Sequence, residues 1–536
     1  MQKMLLLGDE AIGQAALDAG LSGVYAYPGT PSTEITEYIQ RSKEAAEHVV
    51  RSSWAANEKT AMEGALGMSY AGKRTMVCMK HVGLNVAADA FVNSAITGTN
   101  GGLIIVVADD PSMHSSQNEQ DSRFYGDFAM IPIMEPRNQQ EAYDMVYNGF
   151  ELSEKYKIPV MLRITTRIAH SRADIALKTK KEQNKGSLPQ DPHQFVLLPS
   201  IARKNYSKLV NMQAAFEEEA GKSEFNKYTE GSDKSKGVIA AGIANNYIDE
   251  VFGDDLKYSI LRVGQYPLPA DMVKKIYSNC ETLYIFEDGY PFIEKQLRGI
   301  LGNDKVKGKL DGTVVRTGEL NPDEVAYAFG IKEKFDESVS DIVTNRPPAL
   351  CPGCGHADVF KALNEVMADK GAGRVFSDIG CYTLAALPPL NAINSCVDMG
   401  ASVTMAKGAA DAGLKHTVAF IGDSTFTHSG MTGLLDCVID KTPVTVIISD
   451  NSATGMTGGQ KSHAEGRLFD ICLGLGVEEE HIRSFNPINK NHEEAVNIIR
   501  EEVEYEGVSV IIPQRECVRT LEKKIKAKRK AKAAKK

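Results

Sequence analysis

TVAFIGDS, residues 417–424, and VTVIISDNSATGMTGG, residues 444–459, decide how this chain is read. Each opens with a run of apolar and β-branched residues, the composition of a strand buried on both faces, and each then breaks into small polar residues. Asp423 and Asn451 therefore stand just past the carboxyl ends of two strands, 28 positions apart. In a parallel sheet that edge is where ligands bind, so two side chains distant in sequence can converge on one cation. Their hard oxygen donors suit Mg²⁺, which commonly bridges to diphosphate oxygens. Gly422 and Ser424 leave backbone N–H groups open to a phosphate. Taken alone, Gly-Asp-Ser is a turn and Asn451 a cap. The two strand settings, the spacing and the glycine-rich GMTGG that follows favour the ligand-binding reading.

The same alternation of strand and helix extends outward. Residues 23–27, 74–79, 103–108 and 160–164 read as strands, with an Ala- and Glu-rich helical stretch over 57–70 among them. A second series lies at 238–241, 259–263 and 282–286, and a last strand at 508–512. Residues 186–235 are polar and Lys/Glu-rich, with GSLPQDPHQ near their start, and read as a linker carrying a helix or two. Asn345-Arg346-Pro347-Pro348 marks a further boundary. At 536 residues the chain is too long for one core. The pattern predicts an α/β protein of three doubly wound parallel-sheet domains, at 1–185, 236–345 and 346–520, with a basic tail at 521–536.

Hydrophobic content of 43% and charged content of 24% are those of a soluble globular protein. The amino terminus has no secretory pattern, and no apolar run reaches the roughly 18 residues that span a bilayer, so a cytoplasmic protein without membrane contact is expected. Net charge is −9, yet the last 14 residues carry nine Lys or Arg and no acid, which leaves −18 on the rest. An acidic body argues against nucleic-acid binding. The tail reads as a solvated, frayed end, with docking of an acidic partner as the sharper alternative. Nine cysteines without an export signal make structural disulfides unexpected.

Several further segments carry chemistry. Glu58, in WAANEKTA, opens a helix rich in small residues; a first-turn Glu can simply complement the helix dipole. In YPGTPSTE, residues 27–34, Pro31 suits the first helical position, and Thr30 or Ser32 suits the cap. MKHVGLN, residues 79–85, ends a strand. CPGCGH, residues 351–356, holds a C-x-x-C pair whose chemistry is open on its own. Cys381 in SDIGC and Cys517 in PQREC each follow a strand candidate.

Together these segments resemble the large subunits of the indolepyruvate:ferredoxin oxidoreductases, within the 2-oxo acid:ferredoxin oxidoreductase superfamily, from about residue 3 to about residue 520. Those proteins are thiamine diphosphate enzymes. GDSTF at 422–426 looks like their form of the diphosphate motif, with Ser424 where the general motif has a second glycine. The resemblance implies a pyrimidine-binding domain (1–185), a transketolase C-terminal-like domain (236–345) and a diphosphate- and Mg²⁺-binding domain (346–520). It makes Asp423, Asn451 and the backbone of Ala453 magnesium ligands, and sets Gly380, Cys381, Gly422 and Ser424 against the cofactor. Glu58 becomes the acid that hydrogen-bonds N1′ of the aminopyrimidine and favours its imino tautomer; Glu63, on the same helix, is the weaker candidate. Thr30 would face the substrate carboxylate, and His81 and Asn85 would line the pocket.

In the family, cysteines at the positions of Cys351, Cys354, Cys381 and Cys517 hold a [4Fe–4S] cluster, which four thiolates suit. Cys78, Cys280, Cys396, Cys437 and Cys472 are then packing residues. The implied activity is oxidative decarboxylation of an arylpyruvate with coenzyme A, beside a smaller beta subunit, as a dimer or heterotetramer. Non-oxidative decarboxylation of a 2-oxo acid is the alternative. The family's large subunit usually ends in a ferredoxin-like domain with two C-x-x-C-x-x-C-x-x-x-C-P runs. This sequence has no such run, so either a separate ferredoxin relays the electrons or the enzyme has left redox chemistry.

Overall fold

A computed structural model describes residues 3–187, 189, 194–195, 199–301, 305–309, 311–315, 318–333, 342–344, 348–371, 373–396, 399–411 and 414–533. Asn345 to Pro347 of the proline boundary, part of GSLPQDPHQ and the last three residues of the basic tail lie outside that set. The chain forms two compact units, Met1–Ser338 and Val339–Lys536.

The first unit holds two large sheets. The seven-stranded one runs Gln265–Tyr266, Ile133–Met134, Val160–Thr165, Leu103–Asp109, Thr75–Lys80, Gly23–Ala26, Arg51–Trp54. All neighbours are parallel except the first pair. Every residue of Leu103–Asp109 is buried, because helices cover both faces; this explains its unbroken apolar sequence. The five-stranded sheet runs Val306–Lys307, Thr282–Phe286, Asp233–Ala241, Tyr258–Val263, Lys227–Thr229, with only the last strand antiparallel. Lys3–Leu7 pairs antiparallel with Arg172–Ala176, a ribbon that the sequence pattern had not suggested. Within 186–235 lies one long helix, Pro199–Lys222.

The second unit is built on a six-stranded, wholly parallel sheet: Ser395–Cys396, Val375–Ser377, Thr417–Gly422, Val444–Ser449, Ser509–Pro513, Ile482–Phe485. The doubly wound α/β class is thus the observed one. The basic tail differs from expectation. Rather than frayed chain, it forms the exposed helix Val518–Ala533, whose Ala and Lys content favours helix over coil. Among the described residues no helix is long and apolar enough to cross a membrane.

Candidate active site

Strand order locates the binding crevice of each unit. In the second, the chain passes from Val375–Ser377 outward to one side and from the adjacent Thr417–Gly422 outward to the other. That reversal opens a crevice at the carboxyl ends of these two strands. The loop after the first carries Asp378, Gly380 and Cys381; the loop after the second carries Asp423 and Ser424. Tyr382 ties the two together, its hydroxyl 3.0 Å from the Ile379 carbonyl oxygen and 3.2 Å from Thr425 Oγ1. Asp378 is spent on structure: it accepts the backbone N–H groups of Gly400 at 2.7 Å and Ser402 at 3.0 Å.

Asp423 is different. Gly422 pairs in register with Ser449, which brings Asp423 beside the Asp450–Asn451 loop. Its side chain is buried, yet among the described residues Oδ2 has no hydrogen-bond partner. Burial, and then the nearby Asp450 carboxylate, push its carboxyl up to about 7, although the Ser462 hydroxyl opposes this. Asn451 accepts the Ala453 N–H at 3.0 Å and lies 3.4 Å from His356 Nε2. Thr454 Oγ1 donates to Ser424 Oγ at 3.0 Å. A buried carboxylate with one unbonded oxygen, beside a second carboxylate and neutral oxygens, suits a hard dication. The donor set fits magnesium with a diphosphate, for which Asp423, Asn451 and the Ala453 carbonyl are the candidate ligands. Sequence reasoning gave His356 no role. Burial lowers its imidazole to about 4, so it sits neutral beside Asn451 and does not repel a metal.

Cys351, Cys354, Cys381 and Cys517 line one cleft, which Asn451 and Arg519 also border. They arrive from three segments. The Cys517 N–H donates to the Asn451 carbonyl at 3.2 Å, and the Arg515 N–H to the Asp450 carbonyl at 3.0 Å, so the last loop is stitched to the Asn451 loop. A Cβ on Gly455 would lie 3.3 Å from Cys381 Sγ and 3.8 Å from Cys517 Sγ; only glycine leaves this corner open. Burial, followed by the other three thiols, raises Cys381 to about 11. Burial likewise raises the Cys354 thiol. The donor set fits an iron–sulfur cluster. Among the described residues, the groups compact enough for a single ion are two others, so these sulfurs are spread wider than a mononuclear site. Of the remaining cysteines, 78, 280, 437 and 472 are buried, whereas Cys396 is only partly so.

In the first unit the strand order reverses between Gly23–Ala26 and Thr75–Lys80. Thr30 follows the first of these strands and His81 the second; Glu58 follows their neighbour Arg51–Trp54. Asn57 caps the helix Glu58–Tyr70, accepting the Thr60 N–H at 2.9 Å. Glu58 is nonetheless turned inward, 4% exposed, against the first turn of helix His81–Thr97. There a Cβ on Gly83 would fall 2.4 Å from Glu58 Oε1, so residue 83 must be glycine for the carboxylate to lie where it does. Glu63 faces solvent and pairs with Lys59. His81 is buried, with Nε2 3.2 Å from the Asn118 carbonyl oxygen and Nδ1 without a partner.

Three details correct the reading from sequence. Pro31 is not the first helical residue: the helix starts at Thr33 with Ser32 at the cap position, and the Ser32 hydroxyl instead bonds back to the Gly29 carbonyl at 2.8 Å. Asn85 is exposed and accepts a hydrogen bond from Tyr125 at 2.6 Å, at the surface, whereas its neighbour His81 is buried. Lys80, unremarked in the sequence, is buried at the crevice, donates to the Ser115 carbonyl at 2.7 Å and is lowered to about 8 by burial.

Comparison with known proteins gives this geometry a family. Residues 14–221 match the thiamine diphosphate-binding domain of pyruvate flavodoxin/ferredoxin oxidoreductases, and residues 378–511 match the C-terminal TPP-binding domain of thiamine pyrophosphate enzymes. The indolepyruvate oxidoreductase subunit IorA of Archaeoglobus fulgidus is 37% identical over 96% of this chain and 86% of its own length. That of Pyrococcus horikoshii is 36% identical with the same coverage. The 2-oxoglutarate synthase subunit KorA of Methanothermobacter marburgensis is 26% identical over 36% of this chain and 52% of its own. A solved 2-oxoglutarate:ferredoxin oxidoreductase from Magnetococcus marinus aligns at a TM-score of 0.49 and 16% identity, over 61% of this chain and 65% of that one. With IorA relatives matched over nearly its whole length, the chain belongs to the indolepyruvate oxidoreductase IorA family, the thiamine diphosphate-binding subunits of multi-subunit 2-oxo acid oxidoreductases.

Proposed function

We propose that this subunit, with a smaller beta subunit, oxidatively decarboxylates arylpyruvates. One 2-oxo acid and one coenzyme A thiol would give an aryl-acetyl-CoA thioester, CO₂ and a proton. The two electrons would leave singly through a [4Fe–4S] cluster to a ferredoxin. The observation that carries this reading is the unbonded oxygen of buried Asp423, beside the Asn451 loop to which the segment bearing Cys517 is stitched. This supports a magnesium–diphosphate site and an electron acceptor close together within one unit.

Thiamine diphosphate, when bound, supplies the carbon nucleophile and the electron sink. The chain supplies the rest. Asp423, Asn451 and the Ala453 carbonyl hold the metal, and the backbone around Gly422 and Ser424 receives the diphosphate. The Glu58 carboxyl holds a proton at the pyrimidine N1′ and so sets the tautomer. Thr30 and His81, at the same crevice, orient the substrate carboxylate and 2-oxo group. Cys351, Cys354, Cys381 and Cys517 would hold the cluster, which would supply one-electron transfer.

The test is anaerobic purification with the beta subunit, iron and sulfide quantitation, and methyl viologen reduction with indolepyruvate, phenylpyruvate, pyruvate and 2-oxoglutarate in the presence of coenzyme A. Iron near four per chain and dye reduction favouring the two arylpyruvates are expected. Release of an aldehyde without dye reduction would identify the non-oxidative decarboxylase instead. Preference for pyruvate or 2-oxoglutarate would refute the aromatic specificity.

A further inference from the structure

Apart from the residues assigned to the cofactor, the first unit gathers three ligand-type side chains from three segments. Asp9 lies in the first turn of helix Gly8–Asp18, Glu34 in the first turn of Thr33–Arg41, and His170 at the end of Thr166–His170. Each offers one nitrogen or oxygen atom, and the three atoms lie within 4.8 Å of one another. Gly8 makes the meeting possible. A Cβ there would sit 1.9 Å from the Ile168 carbonyl oxygen, so only glycine lets the helix start abut the turn that ends in His170. The Gly8 N–H donates to the Ser171 carbonyl at 3.1 Å and fixes that approach.

Asp9 is the informative member. It is 0% exposed, and among the described residues neither carboxylate oxygen meets a donor; its polar neighbour is the Glu34 carboxyl, with which it can share only a proton. Burial, and then Glu34, hold its carboxyl well above the usual range. Glu34 Oε2 lies 3.6 Å from His170 Nε2, and these two side chains keep 34% and 35% of their surface open. A helix amino terminus supplies only about half a unit of positive charge, too little to neutralise two carboxylates. A dication neutralises both, and a neutral imidazole completes the set.

We propose that Asp9, Glu34 and His170 form a binding site for a divalent transition-metal ion of the zinc class, with a fourth position open to solvent. The chemistry selects the ion. Imidazole with carboxylates favours zinc and its neighbours, whereas Ca²⁺ requires six to eight oxygens. Tetrahedral ligands held at about 2.1 Å lie about 3.4 Å apart, close to the observed carboxylate–imidazole separation. An ion here crosslinks the starts of two helices, and Glu34 is only four positions after Thr30. The site is independent of the proposed reaction.

The test uses the full chain with its beta subunit, dialysed against EDTA, resupplied with Mg²⁺ and thiamine diphosphate, and equilibrated with Zn²⁺. Zinc per chain and the thermal midpoint are compared for wild type, Asp9→Asn, Glu34→Gln and His170→Ala. Zinc held by vacant cysteines is the same in all four and cancels. The expected result is one equivalent more in wild type than in each variant, and a zinc-dependent rise in midpoint that the variants lose. His170→Ala alters a partly exposed side chain, so a folding failure of Asp9→Asn cannot shelter the proposal. Equal zinc in wild type and His170→Ala overturns it. So does an Asp9→Asn variant that melts higher in EDTA with unchanged zinc, which would identify a proton shared between Asp9 and Glu34.

Discussion

Arg163, in the first unit, and Asp423, in the second, are buried to nearly the same depth and are treated in opposite ways. Arg163 donates from Nε to Asp109 Oδ2 at 2.8 Å, from Nη1 to Glu135 Oε1 at 2.6 Å and from Nη2 to the Asp288 carbonyl at 2.9 Å. Arg123 beside it pairs with Asp121, and with Glu287 at 3.1 Å; Tyr266 donates to Glu135 at 2.6 Å. That network joins the unit's two sheets, and the chain itself provides its cations. Asp423 has neutral neighbours, another carboxylate nearby and an oxygen with no donor. Buried charge marks structure where its counter-charge is built in, and a ligand site where the counter-charge must arrive from outside.

The contrast can be broken at either end. Arg163→Met strands Asp109 and Glu135, and losing one partner of a buried ion pair costs about 3–5 kcal/mol. Denaturant unfolding of the first unit should reveal that loss, while magnesium and thiamine diphosphate binding remain intact. Glu58→Gln should lower kcat by roughly 10²–10⁴, the scale of proton-transfer catalysis, with cofactor affinity nearly unchanged. Unaltered turnover would remove Glu58 from its role. Glu63→Gln, on the same helix, disturbs an exposed i,i+4 pair and should change stability by less than about 0.5 kcal/mol and turnover not at all.

A pH titration sharpens the same comparison. The folded-state value of Asp423 lies near 7, well above the ordinary carboxylate value of about 3.9. Its contribution to the metal-free protein is therefore fully present below about pH 4 and is lost as pH rises through about 7. Magnesium must displace that proton. Apparent magnesium affinity should fall about tenfold per unit as pH drops below 7 and level off above it. Calorimetry across pH 5.5–8.5 reads the slope, and Asp423→Asn should abolish it.

What the sequence made legible follows from how local each feature is. The strands announced themselves because burial on both faces leaves no polar residue to interrupt runs such as LIIVVA at 103–108. Asp423 and Asn451 stood out because each ends such a run. The Arg123–Arg163 network was invisible: its acids lie at positions 109, 121, 135, 287 and 288, and only the packing of two sheets brings them together. Asp9, Glu34 and His170 escaped for a related reason. Two of them look like acids that complement a helix dipole, and their convergence depends on Gly8. The misplaced helix start at Pro31 shows the limit of capping rules where a hydroxyl has a backbone carbonyl three residues behind it.

One oxygen of Asp423 meets no donor among the described residues, and the proposed function assigns magnesium to it. The direct measurement is thiamine diphosphate binding by calorimetry at pH 7.5, with and without Mg²⁺, for wild type and Asp423→Asn. The account predicts tight, Mg²⁺-dependent binding to wild type and a roughly thousandfold loss in the variant, about 4 kcal/mol at 1.4 kcal/mol per tenfold. Equal binding by both proteins, or wild-type binding indifferent to magnesium, would contradict it.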